Sequence, residues 1–311
     1  DISHKNFGMN KSNYAKLGRK VDSIIHCAAI TSHYGNYDDF YKVNVLGTQE
    51  MIDFAIRYKI RLNHISTISV SGEYLVDDKD KEEMFTENDF YIGQNYLDNV
   101  YVRSKFEAES LVFKSMKEGL DATIFRMGNL TARYIDGQFQ LNIAQNAFYN
   151  TIKSIIQLGA IPKDLLQQSI ELSPIDCCSR AIVDIIHTEE ARGRVFHIFN
   201  HNKIKIEDLI CILNEKGIRV TKLSNEDFGK VVQDAAQNKV KQDALFGIIN
   251  NMGFIDKTPY NILIIPKSEI SQKYLSKVGF KWEPITEQYI GKLIEYMREV
   301  NFINKGVSEK C

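Results

Sequence analysis

Asn99-Val-Tyr-Val-Arg-Ser-Lys-Phe-Glu-Ala-Glu109 is the stretch on which the reading of this chain turns. Phe106, Leu111, Val112 and Met116 recur at helical spacing, and Gly119 follows where a helix would stop. The pattern predicts a helix over 101–117. Short apolar runs flank it: Leu62-Asn-His-Ile-Ser-Thr67 before and Asp121-Ala-Thr-Ile-Phe-Arg126 after, both reading as buried strands. A third such run, Val21-Asp-Ser-Ile-Ile-His-Cys-Ala-Ala29, precedes a helical pattern over 37–58 carried by Phe40, Val43, Leu46, Met51 and Phe54. Strand and helix alternate at the lengths of right-handed βαβ units, so a parallel sheet is expected.

In a parallel sheet, ligands sit beyond the carboxyl ends of the strands. Ala28-Ala29, Ser66-Thr67 and Arg126-Met127-Gly128 all fall there and are expected to line one crevice. Tyr101 and Lys105 are four residues apart, one turn of a helix on one face. An ammonium beside a phenol favours the phenolate, so the Tyr101 pKa is expected below its usual ~10. Such a group can exchange a proton near neutral pH. The spacing alone is more often that of a plain surface pair.

Composition excludes several classes. With 311 residues, 44% hydrophobic and 25% charged, the chain suits a globular protein with one large core or two smaller ones. A net charge of -1 gives no broad footprint for nucleic acid or a membrane surface, and no apolar run is long enough to span a bilayer. No signal peptide opens the sequence. Cys27, Cys177, Cys178, Cys211 and Cys311 form no C-x-x-C, and the adjacent pair has no histidines at metal spacing. Neither a disulfide framework nor a metal site is expected, and the cytoplasm is the default compartment. The chain begins at Asp1 rather than Met, so a fragment, a processed product or a domain cut from a longer polypeptide is expected.

Residues 69–98 read as a long polar loop with an acid-rich middle over 77–83. Beyond residue 134 the pattern changes. Helices are expected over 142–158, 178–188, 206–216 and 225–253, with strands over 169–174 and 195–200. A last amphipathic helix starts after Thr286 as N-cap. The expected division is 1–134 for a nucleotide-binding domain and 135–311 for a smaller, mostly helical substrate domain, with some segments free to return to the sheet.

A strand ending in Ser66-Thr67, then Tyr101-x-x-x-Lys105, with Asn44-Val-Leu-Gly-Thr48 on the helix between, resembles the extended short-chain dehydrogenase/reductases. More narrowly, HISTISVSG (64–72), NVYVRSKFEAE (99–109), FRMGNLTARYIDGQFQLN (125–142), ELSPIDCCSRAIV (171–183) and KVGFKWEP (277–284) resemble the terminal thioester reductase domains of nonribosomal peptide synthetases. The resemblance implies a Rossmann-like doubly wound parallel sheet and a smaller, mostly helical C-terminal substrate domain. It implies NADPH-dependent reductive release of a carrier-bound peptidyl or acyl thioester as an aldehyde, with further reduction to the alcohol as the alternative end point.

Roles follow from the same resemblance. Thr67, Tyr101 and Lys105 take the catalytic positions. Asp1, Ile2, Ala28, Ala29, Asn44, Met127, Gly128 and Asn129, with Tyr101 and Lys105, take those that hold the cofactor. His33, Ser69, Tyr134, Gln140 and Asn142 are the candidate substrate contacts. The implied partner is an upstream peptidyl or acyl carrier protein bearing a phosphopantetheine-tethered substrate.

The sequence departs from the family at one point. No G-x-x-G-x-x-G stands in it. Such a loop holds the dinucleotide pyrophosphate on backbone N–H groups. The N-terminal part of the nucleotide-binding half is therefore expected to be missing, leaving an uncovered sheet edge. Two alternatives stand beside the main reading. One is a sugar-nucleotide epimerase or dehydratase, which shares the Tyr and Lys but usually not the Arg126-Met-Gly-Asn-Leu-Thr131 run. The other is a non-catalytic, truncated reductase-like module. For Gln140 and Asn142 the competing role is capping of the helix that follows.

Overall fold

The computed structural model describes residues 1–72, 74–75, 83–238, 245, 247, 261–262 and 264–303. Most of the acid-rich middle of the long loop, the end of the helix expected over 225–253, and Cys311 lie outside the described residues. The chain forms two compact units. The first comprises 1–128, 178–198 and 258–281, and the second 129–177, 199–257 and 282–311. The expected division at 134/135 leaves later segments free to return to the sheet, and two of them, 178–198 and 258–281, belong to the first unit.

The first unit is built on a four-stranded parallel sheet of β1 (Ser23–His26), β2 (Arg61–Thr67), β3 (Ala122–Met127) and β4 (Val195–Ile198), in that spatial order. Register aligns Thr67 with Met127, so the carboxyl ends of β2 and β3 lie side by side, while β1 ends opposite His64, three residues earlier. β3 is buried along its whole length, as a central parallel strand must be, while β1 is an edge strand with Ile25 50% exposed.

Two helices cover one face: α2 (Gly47–Tyr58), following the short helix α1 (Lys11–Gly18), and α3 (Val100–Lys117). Ile52 and Ala55 of α2 and Val112 of α3 pack with Leu62, Ala122, Ile124 and Val195 of the sheet. On the other face Phe125 stacks on Phe196, which meets Tyr274 of a helix at Glu269–Lys277 edge-on. Arg61 reaches the Ile186 carbonyl there, at the end of the helix Ile175–Ile186. Helices on both faces of a parallel sheet make the expected Rossmann-like arrangement.

The helix expected over 37–58 is one rod with a defect. A turn of α-helix at Tyr37–Phe40 runs into a π-helical turn at Tyr41–Leu46, and α2 continues from Gly47. One residue too many per turn swings Asn44 inward, where it is buried.

In the second unit the helices Ala147–Leu158, Ile206–Glu215 and Glu287–Glu299 share one core, with Tyr149, Ile155, Ile210, Leu213, Ile290 and Ile294 at its centre. Thr286 caps the last helix by accepting from the Tyr289 N–H, as its sequence position implies. A further helix, Asn225–Gln237, packs beside them, and among the described residues three pairs of very short strands tie the segments together.

Candidate functional site

The first unit gathers Thr67, Tyr101, Lys105 and Asn44 at the carboxyl end of the sheet. Thr67 is the last residue of β2, and its Oγ1 accepts from the Ser69 N–H at 3.2 Å, capping a 3-10 turn over Ile68–Ser71. The Tyr101 hydroxyl lies near that of Thr67, close enough for Thr67 to favour the phenolate. Tyr101 sits in the first turn of α3, where Asn99 is the N-cap: Asn99 Oδ1 accepts from the N–H groups of Tyr101 (3.0 Å) and Val102 (3.1 Å). Lys105, one turn on, is buried and donates from Nζ to the Ile65 carbonyl of β2 at 2.7 Å.

Electrostatics here differ from the sequence expectation. Burial raises the Tyr101 pKa above 10.0, and the neighbouring Thr67 hydroxyl only partly offsets this. Lys105 plays no part in that balance, because its ammonium is turned to the Ile65 carbonyl. Its own pKa is lowered to about 8 by burial, against the opposing pull of Glu109 and Cys27. The phenol is therefore a proton donor held in its neutral form, and the nearby cation is the group poised to titrate.

Asn44 is the structural hub. Its Oδ1 accepts from the Ile30 N–H at 2.7 Å, and its Nδ2 donates to the Ile30 carbonyl at 2.9 Å and to Ser104 Oγ at 2.8 Å. Ser104 in turn donates to the Tyr101 carbonyl. One buried amide thus fastens the loop after β1 to the first turn of α3. Every polar atom of the amide is used, which answers the local back-bonding otherwise expected of a mid-helix Asn.

A buried ion pair lies one turn further along α3. Arg126 donates to Glu109 Oε1 from Nη2 (2.6 Å) and Nε (2.9 Å), and both side chains are 0% exposed. Ser66, beside Thr67, donates to Glu109 Oε2 at 2.5 Å. Arg126 also meets His197 Nε2 at 3.1 Å and lies over the Phe85 ring. Arg126 is therefore a sheet-locking group rather than a substrate contact. His26 bonds Thr48 Oγ1 at 3.0 Å, and both ring nitrogens of fully buried His64 lack a hydrogen-bond partner among the described residues.

The other expected residues separate by unit. Ala28 is exposed just past β1, Ala29 is half-buried beside it, and Met127 and Gly128 end β3, with the Gly128 N–H on the Ile198 carbonyl. His33 lies against Tyr101, with ring centroids 5.3 Å apart, and Ser69 accepts the Thr67 hydroxyl. The Asp1 carboxylate accepts from Ser3, and Ile2 packs against Gly47.

Asn129, Tyr134, Gln140 and Asn142 belong to the second unit. There the Asn129 N–H is held by Glu171, and Tyr134 stacks on Tyr289. The Gln140 carbonyl accepts from Tyr296, and Asn142 donates to Gln145. Neither Gln140 nor Asn142 caps the following helix; Asn146 does. Sequence reasoning missed Asn99, Ser104, Glu109 and the Ile65 carbonyl. Only Asn99 carried a signal, an Asn immediately before a helix.

Part of the site suits a nicotinamide dinucleotide. The Lys105 ammonium keeps two N–H donors beyond its bond to Ile65, and exposed Ala28 leaves the end of β1 open to close approach. These residues fit the nicotinamide–ribose end. No glycine-rich motif for the pyrophosphate occurs among the 311 residues. Among the described residues no cluster of three or more His, Cys, Asp or Glu is arranged for a metal, and no helix is long and apolar enough to cross a membrane. Cys27 and Cys211 are exposed thiols, and Cys177 and Cys178 are buried.

Comparison with known proteins bears on this geometry. The chain is 24% identical over 95% of its length to a linear gramicidin synthase polypeptide of Brevibacillus parabrevis, covering 6% of that protein. It is 25% identical over 97% of its length to the L-2-aminoadipate reductase large subunit of Candida glabrata, covering 23% of it. The chain thus spans only a small part of these relatives. Among solved structures, a thiolation-reductase di-domain from an archaeal non-ribosomal peptide synthetase superposes with a TM-score of 0.81 at 30% identity, over 97% of this chain and 61% of that one. Residues 1–182 match the NAD-binding family model described as Male sterility protein. The chain belongs to that family, in the reductase-domain form of the extended short-chain dehydrogenase/reductase fold.

Proposed function

We propose that this chain is the core of an NADPH-dependent thioester reductase, which releases a carrier-bound peptidyl or acyl chain as an aldehyde. The observation that carries the reading is the grouping of the Thr67 and Tyr101 hydroxyls with buried Lys105, at the carboxyl ends of adjacent parallel strands. The kinship to reductase domains supports it.

NADPH, when bound, supplies the hydride. The Tyr101 hydroxyl, and the Thr67 hydroxyl once it rotates away from Ser69 Oγ, donate to the thioester carbonyl oxygen, and that oxygen gains negative charge as the carbonyl carbon is reduced. Preorganised donors of this kind are worth about 3–4 kcal/mol each in favourable cases. Tyr101 passes its proton to the oxygen, giving a thiohemiacetal. Its C–S bond then breaks, the hydroxyl proton is lost, and the thiol leaves with a proton as the aldehyde forms. Burial suits Tyr101 to this task by keeping it protonated until charge develops beside it. Lys105 holds the cofactor ribose through the N–H donors that its bond to the Ile65 carbonyl leaves free. Asn44 keeps Tyr101 and the loop carrying Ala28 and Ala29 in register.

The partner is a carrier domain presenting the substrate on phosphopantetheine, and the setting is the cytoplasm. The test uses the full-length protein in which these residues occur, with NADPH and an acyl-pantetheine thioester. Equal amounts of oxidised cofactor, free thiol and aldehyde are expected. Absence of thiol release and of cofactor oxidation would overturn the reading.

A further inference from the structure

The loop after β1 brings His33 against Tyr101, and its hydrogen bonding fixes its protonation. Asn99 Oδ1 is committed to two backbone N–H groups of α3, so the amide has one orientation and its Nδ2 is a donor. That donor faces His33 Nδ1 at 3.2 Å. His33 Nδ1 must accept, which puts the imidazole in the neutral tautomer with its proton on Nε2. Burial acts in the same sense, lowering the His33 pKa. The N-cap that starts the catalytic helix therefore also sets the tautomer of a ring 5.3 Å from the Tyr101 ring. No hydrogen bond to His33 Nε2 is recorded among the described residues, and His33 is half-buried rather than sealed in.

We propose that His33 Nε2–H is a third, uncharged hydrogen-bond donor of the site, taking a carbonyl oxygen of the substrate bound against Tyr101. This rests on the thioester reductase reading above. Two carbonyls share the required chemistry: the thioester itself and an amide of the pantetheine arm. Donation to the thioester acts on kcat, because that oxygen gains charge in the transition state. Donation to an amide acts on KM alone.

Two substitutions divide the imidazole. His33→Asn places an acceptor near Nδ1 and removes the distal donor. His33→Gln places an N–H donor near Nε2 and removes the proximal acceptor. In the full-length protein, with NADPH and an acyl-pantetheine thioester, kcat/KM of His33→Asn is expected to fall at least about tenfold while His33→Gln stays within about threefold, as for loss or retention of one hydrogen bond to a polarised carbonyl. A fall in kcat assigns the thioester, and a rise in KM at constant kcat assigns the amide. The reverse ranking of the variants, equal retention, or equal loss overturns the proposal.

The tautomer has a readout independent of turnover: in nitrogen-15-labelled protein the His33 ring must show the Nε2–H form. The Nδ1–H form, or a cation at neutral pH, overturns the proposal even if the reductase reading stands. Inactivity of the unsubstituted enzyme with His33 in the Nε2–H form counts against the reductase reading instead, and with it against a donor role for His33.

Discussion

Replacing Glu109 by Ala removes the partner of a fully buried guanidinium. Three hydrogen bonds go with it: those from Arg126 Nε and Nη2 and that from Ser66. Bonds to charged groups are worth about 1.5–3 kcal/mol each, so the gross loss is about 5–9 kcal/mol. Water entering the space of the lost carboxylate offsets part of this, and Arg126 keeps His197 and the face of Phe85. A net destabilisation of about 3–5 kcal/mol is expected, as for other buried pairs broken on one side. That is a large fraction of the ~5–15 kcal/mol that holds a typical domain together.

Urea unfolding followed by far-UV circular dichroism reads the loss in the first unit. The double substitution Glu109→Leu with Arg126→Met leaves no orphan charge and is expected to recover most of it. Glu109→Gln keeps the shape and removes the charge. Because Glu109 holds the Lys105 pKa up, that variant is expected to move the alkaline limb of activity below pH about 8. A cost under about 1 kcal/mol for Glu109→Ala, or a double variant no better than the single, would refute the reasoning.

Other outcomes follow from the same geometry. Asn44→Ala strips three hydrogen bonds from the loop after β1 and from Ser104, and is expected to cost about 2–3 kcal/mol on denaturation and to lower kcat. Asn99→Ala removes the N-cap of α3 and the anchor of His33; it is expected to cost about 1 kcal/mol and to mix the His33 tautomers by NMR. Acid weakens the first unit: burial lowers the pKa of His26 to about 4 and of His197 to about 3, from 6.5. Below pH ~6.5 the unfolded chain takes up these protons and the folded one does not, so each histidine removes about 2 kcal/mol by pH ~5. Glu171, raised to about 7 in the second unit, acts in the opposite sense between 4.5 and about 7, so the signal must come from the first unit. Equal stability of that unit at pH ~7 and ~5 would contradict the assignment.

Much of this was legible in the sequence because periodicity and strand ends are local properties. Helix 101–117, the strands ending at Thr67 and Arg126, and the Thr286 cap each fell within a residue or two of the observed elements. The π-turn at Tyr41–Leu46 was not legible, since an extra residue in a turn leaves the apolar pattern nearly intact. The direction of the Tyr101 shift was missed for a physical reason. Spacing places Lys105 near the phenol, but only the fold shows that the Ile65 carbonyl claims its ammonium and that burial prevails. Glu109–Arg126 and Asn99–His33 join residues 17 and 66 positions apart, beyond the reach of any local pattern. Which later segments return to the first unit was hidden likewise, because the segment 258–281 carries no mark of which core it joins.

The central claim is that Tyr101 delivers the proton when a thioester is reduced. Its most direct test is single-turnover thiol release from an acyl-pantetheine thioester by the full-length protein with NADPH, comparing the unsubstituted enzyme with Tyr101→Phe. Loss of a general acid is expected to slow the step at least ~100-fold, with cofactor affinity changed little. Thiol release by Tyr101→Phe within a few-fold of the unsubstituted enzyme would contradict the account.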